Sequence, residues 1–87
     1  MKIVRISAVW CMSCIVTHEE WLKVKENHEK IEFIELDYDI DDIEKYHVSD
    51  ILPITIFYKD DEEVRRIEGE FKEKDIERVI EDEKMDI

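Results

Sequence analysis

Two cysteines three positions apart, Cys11 and Cys14, form the pair whose type and spacing suit chemistry most directly. Thiol–disulfide exchange needs one thiol that reacts as its anion near neutral pH. It also needs a second, close enough to displace the first from a mixed disulfide. A cysteine at the mouth of a helix meets the first need, because unpaired N–H groups and the positive end of the helix dipole favour its thiolate. A second cysteine inside the first helical turn meets the other. Cys11 follows a strand-like run and precedes a helical pattern, so it is expected to be the nucleophile, with Cys14 the more buried, resolving thiol. These two are the only cysteines in the chain. That is too few for a structural disulfide framework and points to redox or metal chemistry. A zinc site would want four ligands. His18 lies four positions past Cys14, but His28 and His47 have no matching spacing, so no metal is expected and His18 reads as a helix-face histidine.

The segments around the pair must position it. Residues 2–9 (KIVRISAV) are nearly continuously apolar and β-branched, which suits a strand covered on both faces. From Cys14 to about Asn27 the pattern is helical, with Cys14, His18, Trp21, Leu22 and Lys25 on one side. Trp21 and Leu22 read as core, and Trp10 as an exposed ring beside Cys11. Residues 31–38 alternate as a second strand. Asp41 or Asp42 can cap a short helix to about His47, with Ile43 and Tyr46 inward. Ile51-Leu52-Pro53 leads into a third strand at 54–58. A polar turn at 59–62 then gives a fourth strand at 63–68, an antiparallel hairpin. Gly69 breaks it, and residues 72–84 form a last helix with Ile76, Val79 and Ile80 as its apolar stripe. The order β-α-β-α-β-β-α predicts an α/β domain over residues 1–87. It has a four-stranded mixed sheet, a right-handed parallel crossover and three flanking helices.

The chain's 87 residues fit one domain. Its 25 acidic against 13 basic residues give a net charge of −12. That field repels phosphate backbones and anionic lipid, so neither nucleic acid nor a membrane is an expected partner. No stretch approaches the ~20 apolar residues of a membrane span. The opening run is broken by Arg5 and lacks a signal-cleavage pattern, so a cytoplasmic, monomeric chain is expected.

Over its whole length the sequence resembles the thioredoxin-like superfamily. Trp10-Cys11-Met12-Ser13-Cys14 matches the family's Trp-Cys-x-x-Cys, and Asp37-Tyr38-Asp39 with Glu44-Lys45-Tyr46 looks like its second strand and short helix. Ile51-Leu52-Pro53 matches the loop whose proline is cis in the family, and Gly69 sits where the family has a glycine ahead of the last helix. A proline cannot donate to a ladder, so Pro53 is also expected at a strand start on physical grounds. The family's first strand and helix are missing, which makes this a minimal, glutaredoxin-sized version.

The resemblance implies an enzyme that reduces protein disulfides through a redox-active Cys11–Cys14 disulfide, with no other cofactor. It also implies a substrate groove of Trp10, Met12, Leu52, Pro53 and Gly69, and an upstream electron donor, commonly a flavoprotein reductase. A glutathione-linked role is disfavoured, since the usual Thr-Val-Pro and Gly-Gly are absent. The alternative is a non-catalytic binding or redox-sensing module on the same fold. Met12-Ser13 replaces the usual Gly-Pro. Met12 offers a soft apolar contact to substrate, and Ser13 is a candidate donor toward the Cys11 sulfur.

Arg5 is the departure with most consequence. It falls where the family places a buried Asp that assists proton transfer at the second cysteine. The lysine partner of that Asp aligns near Glu35. Either the pair is charge-swapped, with Arg5 and Glu35 tuning the thiols, or Arg5 sits near a sheet edge and snorkels to water.

Overall fold

The computed structural model describes residues 1–85; the last two residues of the expected 1–87 domain lie outside the described part. The elements are β1 (Lys2–Ser7), α1 (Met12–Asn27), β2 (Glu32–Asp37), a 3-10 turn (Glu44–Tyr46), β3 (Ile54–Lys59), β4 (Glu62–Glu68) and α2 (Glu73–Asp82). They build one sheet in the order β2-β1-β3-β4. α1 carries the chain from β1 to the parallel β2, while β3 runs antiparallel to both β1 and β4. β1 is therefore paired on both edges, and its apolar run is buried on both faces from Ile3 through Ile6. The β3–β4 hairpin closes on Asp60 and Asp61 at φ of 54° and 66°. Positive φ at both central residues matches the strand twist, and Asp tolerates it better than most side chains.

The alternation along each strand sorts the core into two layers. Ile3, Phe57 and Phe33 face α1 and α2, where they meet Trp21, Val24, Ile76, Val79 and Ile80. Val4, Ile6, Ile54 and Ile56 face the other way, under Tyr46 and the loop that carries the 3-10 turn. Burial on both sides is what makes a small sheet worth forming, at about 25 cal/mol per Å² of apolar area removed from water.

Two expectations are corrected. The flanking helices number two among the described residues, since the segment after β2 is a single 3-10 turn. Asp42 Oδ1 does accept the Glu44 N–H at 3.3 Å, but His47 turns left-handed at φ 51° and stops the turn at once. Tyr46 is buried as expected and Ile43 half-buried. The buried stripe of α1 is Cys14, Thr17, Trp21 and Val24, whereas His18, Leu22 and Lys25 are exposed. Apolar residues on several sides of α1, among them the exposed Ile15 and Val16, blurred the pattern. Thr17, a polar residue, takes the place that His18 was given.

Candidate functional site

The C-terminal end of β1 delivers the chain through Ala8–Trp10 to Cys11, which caps α1. Cys11 has extended backbone, φ −94° and ψ 109°. Its own N–H donates to the Ala8 carbonyl at 3.1 Å, and its Sγ accepts the Cys14 N–H at 3.1 Å. The sulfur thus takes the place of the usual Ser or Asp oxygen at a helix start, satisfying an N–H that has no partner within the helix. Both cysteines are free thiols in this structure and both are buried, Cys14 at 4% exposure against 8% for Cys11. Burial, a hydrogen bond with Cys11 and the charge of Cys11 push the Cys14 thiol up from its usual value near 9 to about 11, while a hydrogen bond with the Ala8 backbone and then the positive charge of Arg5 pull the other way.

Around this pair the structure gathers most of the residues singled out in the sequence. The Leu52–Pro53 peptide bond is cis, and Leu52 packs in the same cluster as Cys11, Cys14 and Ile54. The Pro53 carbonyl accepts the Gly69 N–H at 2.8 Å, tying the start of β3 to the end of β4. Gly69 has φ 94°, and a methyl group there would lie 3.9 Å from Ile51 Cγ2. Space does not demand glycine at that position; the backbone angle does. Met12 is 71% exposed and Trp10 58% exposed. The Trp10 indole is held by a 2.6 Å hydrogen bond from its Nε1 to Asp39 Oδ2 and by an edge contact with Tyr38. Ser13 is the exception: its hydroxyl donates to Glu70 Oε2 at 3.2 Å, and no bond from it to the Cys11 sulfur is formed.

Arg5 is buried at 2% exposure. Its register partner on β2 is Glu35, and Nη1 donates to Glu35 Oε1 at 3.1 Å. Nη2 donates to the Cys14 carbonyl at 2.6 Å and to Thr17 Oγ1 at 3.1 Å. Thr17 in turn donates to the Ser13 carbonyl at 2.8 Å, so the first turn of α1 is pinned from beneath. The guanidinium lies 5.9 Å from the Trp21 ring centroid, and its Nε has no hydrogen-bond partner among the described residues. The sheet-edge alternative is excluded: β1 is central and Arg5 points under α1. An open depression of about 380 Å³ lies alongside, lined by Arg5, Cys14, His18, Glu35 and Asp37 among others. Water can therefore approach Cys14 from the Glu35 side. Among the described residues, no group of three or more His, Cys, Asp or Glu is placed to hold a metal ion.

Sequence reasoning missed three polar partners. Thr17 was findable, since it follows Cys14 by three positions and so shares its helix face. Asp39 and Glu70 reach the site from opposite edges of the sheet, and no local spacing announces such contacts.

The family model for thioredoxin matches residues 1–82. Among solved structures, the chain is similar to the malaria parasite thioredoxin-2, described as a component of the protein secretion machinery, at 21% identity and a TM-score of 0.86. That match covers 93% of this chain and 81% of the other. Thioredoxin from Fasciola hepatica is 26% identical with a TM-score of 0.84, covering 93% and 78%. Mitochondrial thioredoxin 3 from Saccharomyces cerevisiae is 23% identical with a TM-score of 0.82, covering 93% and 76%. Comparison with curated proteins gives no match.

Proposed function

The chain belongs to the thioredoxin family, and on that premise we propose that it is a thiol–disulfide oxidoreductase that reduces disulfides in other proteins. The observation that carries this reading is the Cys11 sulfur at the helix mouth, accepting the N–H of a second, deeper thiol three residues on. In the forward reaction the Cys11 thiolate attacks one sulfur of a substrate disulfide. An S–S bond forms to Cys11 as the substrate bond breaks, and the departing substrate sulfur takes up a proton. Cys14 then loses its proton and attacks Cys11 Sγ, releasing the second substrate thiol. Two electrons and two protons pass to the substrate, and a Cys11–Cys14 disulfide remains as the only redox group required. A dithiol donor must restore it, and a flavoprotein reductase is the proposed source of those electrons.

The second step needs a thiolate at Cys14. While Cys11 is free, its hydrogen bond and charge hold the Cys14 proton on. Once Cys11 is tied up in the mixed disulfide that charge is gone, leaving burial opposed by the hydrogen bond with the Ala8 backbone and, more weakly, by the Arg5 cation. The Cys14 thiolate is thus easier to form when attack is needed. Arg5 is proposed as the tuning residue, with Glu35 as its counter-ion and as the first acceptor for a proton leaving through water in the depression beside it. Trp10, Met12, Leu52, Pro53 and Gly69 are proposed as the surface over which the substrate chain lies.

The test is trapping. In a reduction assay on a protein disulfide driven by a chemical dithiol, the native protein should turn over. With the same substrate and the dithiol left out, the pre-reduced Cys14→Ser variant should accumulate a covalent mixed disulfide, and Cys11→Ser should form none. Trapping by Cys11→Ser alone would reverse the two roles, and no reduction by the native protein would favour the sensing module instead.

A further inference from the structure

The end of the sheet that carries Cys11 has an unusual surface. The loops that meet there leave β1, β2 and β4 and enter β3. They present large apolar side chains to solvent: Val9 at 81% exposure, Trp10, Met12, Ile40 at 81%, and Ile51. Around them stand several exposed carboxylates. Asp39, Asp41 and Asp42 follow β2, Asp50 precedes β3, and Glu68 and Glu70 close β4 and the turn after it. Two of these are held against the cysteine motif itself, Asp39 by the Trp10 indole and Glu70 by the Ser13 hydroxyl. β2 and β4 are the two outer strands, so these carboxylates bracket Cys11 from opposite edges.

Three of the nearby cations are engaged or turned elsewhere. Arg5 is buried on Glu35. Arg66 is bound by Glu63 and by the carbonyls of Tyr46 and His47. Lys45 lies beside Lys2 and Tyr58, toward the opposite end of the sheet. Lys72 and Lys74 are exposed and line a furrow between the helices together with Glu20, Glu70 and Asp75, which places them beside the Glu70 side of the bracket.

We propose that this surface selects protein disulfides whose cysteines are flanked by Lys or Arg, the apolar centre seating the chain and the acidic bracket reading its charge. The inference rests on the oxidoreductase reading and adds the substrate class. A trigger for specificity is present on chemical grounds alone: complementary fields speed encounter and suppress wrong partners more than they add to final affinity. An acidic-flanked disulfide would bring like charges against Asp39 and Glu70 just as Cys11 attacks.

The experiment uses the reduced full chain and two synthetic disulfide peptides of equal length, one with Lys and Arg beside the cystine, the other with Glu in their places. Rates are read in a single turnover at low and high salt. The basic peptide should react about tenfold faster at low salt, within the range that electrostatic steering supplies. The advantage should shrink toward parity once salt screens the rim. Asp39→Asn and Glu70→Gln should each erode it. Asp61→Asn removes the same charge at the β3–β4 turn, at the other end of the sheet, and should not. Equal rates for the two peptides at low salt, or erosion by Asp61→Asn as large as by the rim variants, overturns the proposal, since net charge alone would then explain any preference. Failure to reduce either peptide overturns the redox reading and this proposal with it.

Discussion

The two ends of α1 rest on the same face of the sheet and are packed from different materials. Toward Asn27, Trp21 and Val24 sit among Ile3, Phe57, Ile76, Val79 and Ile80, an apolar cluster built around one indole. Toward Cys11, the helix rests on a guanidinium that bonds the Cys14 carbonyl, Thr17 and Glu35. The regions meet where Arg5 stands against the Trp21 ring. Apolar burial gives stability reliably. A buried ion pair generally does not, because desolvation cancels much of the attraction. The contrast is a division of labour: one end of α1 holds the fold, and the other holds a charge beside the thiol that, in the proposed mechanism, must change its protonation state.

The sharpest way to break that comparison is at Trp21. Truncation to Ala removes the largest side chain of the apolar cluster, which is fully buried, and should cost about 3–5 kcal/mol in denaturant unfolding. The molecules that remain folded should still form the Cys14→Ser mixed disulfide at the native rate. A stability loss under about 1 kcal/mol, outside the range for such cavities, would mean the apolar end is not what holds α1 down.

Arg5 is the complementary probe. Arg5→Ala should cost less stability, about 1–3 kcal/mol for the hydrogen bonds it leaves unmade, because Glu35 is 44% exposed and can turn to water. Its larger mark should be on acidity. In a Cys11→Ser background, which removes the thiol that adds to burial in holding the Cys14 proton on, Cys14 is the one thiol left and its alkylation rate can be followed against pH. A cation favours the thiolate, so its removal raises the midpoint and slows alkylation at any pH below it. Arg5→Lys keeps the charge and should recover part of the shift. An unmoved profile for Arg5→Ala would reduce Arg5 to a packing role.

Much of this was legible in the sequence, and the part that was not has a common cause. The cysteine spacing, the proline at the head of a strand and the glycine after β4 are local signals with local reasons. The facing of Arg5 and Glu35 was only half readable: side-chain alternation offered it, and a sheet-edge arginine stayed the alternative until the register placed β1 inside the sheet. What escaped depends on distant partners. Thr17 is buried because Arg5 needs an acceptor there, while Leu22 is left outside by the direction in which α1 lies on the sheet. Ser13 turns to Glu70, 57 residues away, instead of to the sulfur next to it. The third helix shrank to one turn because His47 adopts a left-handed conformation, uncommon for any residue but glycine.

The smallest expected effect is also the most discriminating, and it falls on Glu35. Glu35→Gln removes a negative charge that partly cancels Arg5, while the amide keeps an oxygen to accept the Nη1 hydrogen bond. With the counter-charge gone, the field of Arg5 at Cys14 is stronger and the thiolate is favoured. In the same Cys11→Ser background the alkylation midpoint should therefore fall, opposite in sign to Arg5→Ala. It should fall by less, because Glu35 is 44% exposed and water already screens its charge. The rate of resolution should move the other way. If Glu35 accepts the proton that leaves Cys14, an amide cannot, and release of substrate from the native cysteine pair should slow near neutral pH even though the thiolate is easier to form. A lower midpoint with a slower release separates proton acceptance from charge balance. A lower midpoint with a faster release would leave Glu35 as a counter-ion only. A midpoint that rises, as for Arg5→Ala, would show that both residues act by holding α1 in place, and the electrical contrast between the two ends of the helix would have to be abandoned.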